Sequence, residues 1–101
     1  MISVIASIKV KPSCKDLFLT AFKANVPSVM AEEGCLEYAP MVDLDTEWPV
    51  QALDINVVTI IEKWESLDAL KEHLSSPHMV SFREKTEELV IETSVKILTA
   101  A

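Results

Sequence analysis

Ile2, Val4, Ala6, Ile8 and Val10 recur at every second position between mostly polar neighbours, the period of a half-buried strand. Lys11-Pro12 ends it. Ser13 and Asp16 have the spacing of a capping box, which predicts a helix start with a carboxylate near its positive end. Phe18, Phe22, Val26, Val29 and Met30 then repeat at three- and four-residue steps, with Leu17 and Ala21 widening the stripe. Pro27 inside this pattern removes one donor and predicts a kink. Gly34 follows, where a left-handed residue closes a helix at little steric cost.

Residues 35 to 43 read as a second strand, with Leu36, Tyr38 and Val42 on one face and Pro40 at an edge or bulge. The polar stretch 44–54, carrying Trp48-Pro49, is too long for a tight hairpin. A third strand from about Ile55 to Trp64 is apolar on both faces. Ser66 caps a second helix, whose core stripe is Leu67, Leu70 and Leu74 with His73 beside it. Ser76-Pro77 restarts the chain as N-cap and first helical residue. Met79, Phe82, Thr86, Leu89 and Val90 form the next apolar face, and 93–99 is a last short strand.

Strand, helix, strand, strand, helix pair, strand is the split βαβ, or ferredoxin-like, α+β order: an antiparallel sheet with helices on one face. The third strand is apolar on the side that helices leave open, and a large uncovered apolar face is uncommon on a monomer. A second copy packed sheet against sheet is the simplest remedy. A homodimer is therefore expected.

At 101 residues the default is one domain, 1–101, and half the residues are hydrophobic, enough for a packed core. The net charge of −7 disfavours nucleic acid, whose phosphates it would repel. No window offers the ~18–20 apolar residues of a membrane helix. The first residues lack the basic start of a signal peptide, and the two cysteines, Cys14 and Cys35, form no metal or disulfide pattern. The expected setting is cytoplasmic, with free thiols. A single glycine excludes the glycine-rich phosphate loops of nucleotide-binding folds.

Each candidate for chemistry has a structural reading beside the functional one. His73, at the boundary of core and solvent, suits a general base, or is simply a satisfied helix-flank histidine. Trp64 could wall an aromatic-binding pocket or fill the core. Glu62 could orient a neighbour, or pair with a lysine. Tyr38 could offer a phenol to a substrate oxygen, or pack in the sheet. His78 opens a helix, where the dipole disfavours its charged form and favours a structural or neutral hydrogen-bonding role. Trp48 could cover a pocket mouth or reach a partner subunit. Glu32-Glu33 and the acidic stretch 84–92 read as solvated helix faces. Cys14 and Cys35 have no adjacent base that would make a nucleophile.

Residues 32–43, EEGCLEYAPMVD, resemble the helix-to-strand signature of the antibiotic biosynthesis monooxygenase superfamily. Glu62-Lys63-Trp64-Glu65-Ser66 with Leu70, His73-Leu74 and Ser76-Pro77-His78-Met79 resembles its second signature, and the likeness is strongest to the bacterial quinol monooxygenases. It implies a dimeric α+β barrel that oxidises a small aromatic quinol or polycyclic phenol with O₂, using neither metal nor flavin. By position it implies proton removal or oxyanion hydrogen bonding by His73, stacking by Trp64, and pocket lining or an oxygen contact by Tyr38; Glu62 and His78 are expected beside them as further substrate-binding residues. Haem-degrading members carry an Asn on the first strand where Ser7 stands here, which points away from haem. The scaffold also hosts an isomerase of phosphorylated dicarbonyl signalling molecules, for which Lys9, Lys11 and Arg83 are the available cations. A quinone-binding dimer without turnover is the third reading.

Overall fold

The computed structural model describes residues 1–101 and has the order β1 (Ile2–Val10), α1 (Lys15–Met30), β2 (Cys35–Val42), β3 (Val57–Trp64), α2 (Leu67–Ser75), α3 (Pro77–Thr86) and β4 (Val90–Leu98). The strands form one sheet in the order β2-β3-β1-β4, every neighbouring pair antiparallel. This is a ferredoxin-like α+β fold.

Period-two alternation sends Val4, Ala6 and Val10 of β1, Tyr38 of β2, and Val58, Ile60, Glu62 and Trp64 of β3 to the helix side. Phe18, Phe22 and Val29 of α1, Leu70 and His73 of α2, and Met79, Phe82 and Thr86 of α3 meet them. Aromatic contacts tie the two layers. Phe22 stacks on Tyr38 at 4.9 Å, and Phe82 meets Phe18 and Phe22 edge-on at 5.8 Å, each pair adding about 0.5–1.5 kcal/mol to the burial itself. On the open side of the sheet, Ile5 pairs with Ile61 and Ser7 with Thr59.

The helices lie across β2 and β3 and leave β4 bare. Val95 and Ile97 pair with Ala6 and Val4, so they share the helix side, yet both are more than half exposed. Gly34 brings α2 close to the rest. Its φ is +85°, and a Cβ there would stand 2.6 Å from the Ala69 Cβ. Only glycine fits both the backbone and the gap.

Several local expectations need correction. Ser13 does not cap α1; Cys14 is the N-cap, without a side-chain bond. Cys14 N–H closes a turn onto the Lys11 carbonyl, with Pro12 at the first central position and Ser13 at φ +69° in the second. Leu36 does not share a face with Tyr38, because a bulge between Cys35 and Glu37 turns it outward. In α2 the buried pair is Leu70 and His73, while Leu67 and Leu74 are half exposed. Pro27, where a kink is expected, lies inside a helix that runs on to Met30, with Ala31 N–H bonded to the Pro27 carbonyl. The expected edge position of Pro40 holds, since β2 borders the sheet.

Candidate active site

Because the helices stop short of β4, a cavity of about 490 Å³ remains between the two layers. Ala6, Ile8 and Ile60 form its floor, Phe18, Phe22, Met79 and Phe82 its helical wall, and Thr93 and Val95 its flank on β4. Polar groups are few: Tyr38, Glu62, His73 and Thr86, with the exposed Arg83 and Glu87. An apolar hollow with a few convergent polar groups is the usual form of a small-molecule site.

The placement of His73 follows from the chain around it. Ser66 caps α2 by accepting the Ala69 N–H at 3.1 Å, directly after β3. Two turns on, His73 shares the buried face with Leu70 and is only 1% exposed. Its ring lies 4.6 Å from that of Trp64 and 5.4 Å from that of Tyr38. His73 Nδ1 lies 2.8 Å from Glu32 Oε2. An ionised carboxylate only accepts, so Nδ1 carries the proton and a neutral ring keeps its lone pair on Nε2. The side chain makes no other hydrogen bond, and no fully buried side-chain nitrogen or oxygen lacks a partner. Nε2 therefore meets the cavity.

The same Glu32 oxygen lies 2.7 Å from His78 Nε2. Ser76 Oγ lies 3.2 Å from that nitrogen and donates to the His73 carbonyl at 2.8 Å. One carboxylate thus joins two imidazoles, and its other side faces a cleft of about 680 Å³ lined by Glu33, Glu65, Asp68 and Glu72.

Burial raises the Glu62 carboxyl above its ordinary range; the Trp64 hydrogen bond and the nearby His73 act in the opposite sense. Trp64 Nε1 donates to Glu62 Oε1 at 3.0 Å. Burial, with Glu62 and Glu32 adding to it, pushes the Tyr38 phenol far above its ordinary value and keeps it protonated. Its hydroxyl points to Met79 Sδ at 3.9 Å. Burial also raises the Cys35 thiol, helped by Glu32 and Glu62, so thiolate chemistry is disfavoured there.

Tyr38, Glu62 and His73 therefore come together on one cavity. Trp64 and His78 do not line it. Trp64 is fully buried behind His73 and Glu62, which leaves no face for stacking on a ligand. His78 lies on the far side of Glu32. Trp48 is exposed on the 43–56 loop, away from the cavity lining. Sequence reasoning missed Glu32, which reads as one of two exposed carboxylates at a helix end. The signal was Gly34: a required glycine marks a close approach, and here it draws α2 and His73 toward the end of α1.

The antibiotic biosynthesis monooxygenase model matches residues 1–85. The chain belongs to that family. Among relatives of this monooxygenase-family chain, the Escherichia coli K12 protein named "Probable quinol monooxygenase YgiN" is 38% identical over 100 residues, spanning 97% of this chain and 96% of its own. Two solved structures share the fold at 25% identity and cover 99% of this chain. PA3566 from Pseudomonas aeruginosa superposes with a TM-score of 0.83 over 93% of its length, and Rv0793 from Mycobacterium tuberculosis with 0.82 over 94%. No helix is long and apolar enough to cross a membrane.

Proposed function

We propose that this family member, a single domain over residues 1–101, is a cofactor-independent quinol monooxygenase. One oxygen atom of O₂ enters the ring of a quinol or polycyclic phenol, which becomes a quinone; the other leaves as water. The observation that carries this reading is the buried His73, held through Nδ1 by Glu32 and open through Nε2 to an apolar cavity. Nε2 takes the hydroxyl proton, and the resulting anion is electron-rich enough to reduce O₂ itself. An imidazole general base contributes about 10²–10⁴-fold. The apolar walls hold the flat ring and keep water from the anion. The protonated Tyr38 offers a hydrogen bond to the developing oxyanion. Trp64 positions His73 rather than touching the substrate. Arg83 is the only full cation on the cavity, beside Glu62 and Glu87, which fits a neutral aromatic better than a phosphorylated dicarbonyl.

Oxygen uptake with a reduced naphthoquinol, corrected for autoxidation, tests the reading. Wild-type protein should consume O₂ and form the hydroxylated quinone, and His73→Ala should lower turnover by about 10²-fold or more while keeping its circular dichroism. Equal rates would remove His73 from the chemistry. Turnover of a phosphorylated dicarbonyl without O₂ would favour the isomerase, and naphthoquinone binding without uptake a binder. We also place the protein in the cytoplasm as a homodimer joined through the open sheet face around Ile5 and Ile61. Sedimentation at micromolar concentration should give twice the chain mass; a monomer would refute the pairing.

A further inference from the structure

We propose that Glu32, His73 and His78 bind one divalent transition-metal ion of zinc-like ligand preference, and that this ion silences His73. His73 Nδ1, His78 Nε2 and a Glu32 oxygen lie within 4.8 Å of one another. Zinc sits about 2.0–2.2 Å from imidazole nitrogen and carboxylate oxygen. Three tetrahedral ligands at that range stand about 3.3 Å apart, so the 2.7 and 2.8 Å contacts open slightly while the two imidazole nitrogens, within 4.8 Å of each other, draw together around the ion. Two histidines and one carboxylate also leave a coordination position for water, as in zinc sites that are not closed by protein.

The ligands are also held in place. The Trp64 and Tyr38 rings fix the His73 imidazole, and the Ser76 hydroxyl, bonded to the His73 carbonyl, fastens the end of α2 to the start of α3; His78 Nε2 exchanges its present contacts for the ion as its proton moves to Nδ1. Little side-chain entropy remains to be lost on binding. The cleft supplies access. Glu32 and Ser76 line it together with Glu33, Glu65, Asp68 and Glu72, and such an acidic field concentrates cations there.

The consequence for His73 follows from proton placement. Nδ1 now carries a proton bonded to Glu32. A metal at Nδ1 needs that lone pair, so the proton moves to Nε2, the nitrogen facing the cavity. The ring then has no free base there. The inhibitory effect rests on the function proposed above; binding does not.

The test uses metal-stripped full-length protein without quinol. Zn²⁺ followed by calorimetry, and Co²⁺ by the visible absorption of a tetrahedral complex, should show one ion per chain at micromolar affinity. His78→Ala and Glu32→Gln should each weaken binding at least about tenfold, with circular dichroism confirming their folds. Glu72→Gln should weaken it less, and less still at high salt. Cys35→Ser should retain it. No saturable binding, or binding unchanged in both His78→Ala and Glu32→Gln, would overturn the site. If Zn²⁺ binds while naphthoquinol is not oxidised, only the functional reading fails. If naphthoquinol is oxidised at a rate indifferent to saturating Zn²⁺, the silencing of His73 fails.

Discussion

The two hollows of this protein stand back to back across a single hydrogen bond. On one side of Glu32–His73 is a mostly apolar cavity floored by Ala6 and Ile60; on the other is a cleft lined by five carboxylates. The same imidazole serves both, with Nδ1 toward the acidic side and Nε2 toward the apolar one. Histidine suits this position because its two nitrogens are chemically distinct and the partner of one sets the state of the other. The contrast teaches that the environment of His73 is divided by nitrogen, and that a change on the acidic side can reach the cavity without altering its walls.

The most disruptive way to break the arrangement is Gly34→Ala. The added Cβ meets the Ala69 Cβ at 2.6 Å on a backbone that disfavours side chains, which should cost about 3 kcal/mol. Urea denaturation should show that loss, and the displaced α2 should draw His73 away from Glu32 and impair both sides together. A variant of wild-type stability would mean that the close approach is relaxed elsewhere.

Glu62→Gln should act more gently and on the cavity side alone. The folded protein binds the Glu62 proton more tightly than the unfolded chain does. Wild-type stability is therefore lost as pH rises from the ordinary carboxylate range toward the raised folded value. Glutamine never ionises and still accepts the Trp64 N–H. Thermal unfolding should show the variant more stable at neutral pH, with the two proteins converging in acid. A difference independent of pH would contradict the assigned cause.

Asp68→Asn should do least. It removes one charge from the acidic cleft and a favourable carboxylate from the first turn of α2, worth about 0.3–1 kcal/mol in denaturation. Naphthoquinol turnover should not change, since Asp68 does not line the cavity. A clear drop in turnover would show that the two sides are not separable.

The strands and helices were legible because their periods are plain: Val4, Ala6 and Val10 at two, Phe18 and Phe22 at four. Capping and register were less so. The Ser13–Asp16 spacing suits a capping box, yet Pro12 favours the turn that carries Ser13 past the cap. The bulge at Leu36 costs one position of alternation, which a count along a single strand cannot detect without its partner. At the site, His73 was legible from its place near Leu70, although its depth was not, because Leu67 and Leu74 offered a more apolar stripe. Glu32 was hidden for a different reason. Its partners lie 41 and 46 positions away, and no local pattern marks a carboxylate whose neighbours arrive only through the tertiary fold.

Strand β4, uncovered along Val95 and Ile97, has one more consequence. A planar molecule could slip in sideways across that strand without any hinge having to swing. Exchange would then keep pace with diffusion rather than with the opening of a gate, and shielding from solvent would have to come from beyond the chain's own helices.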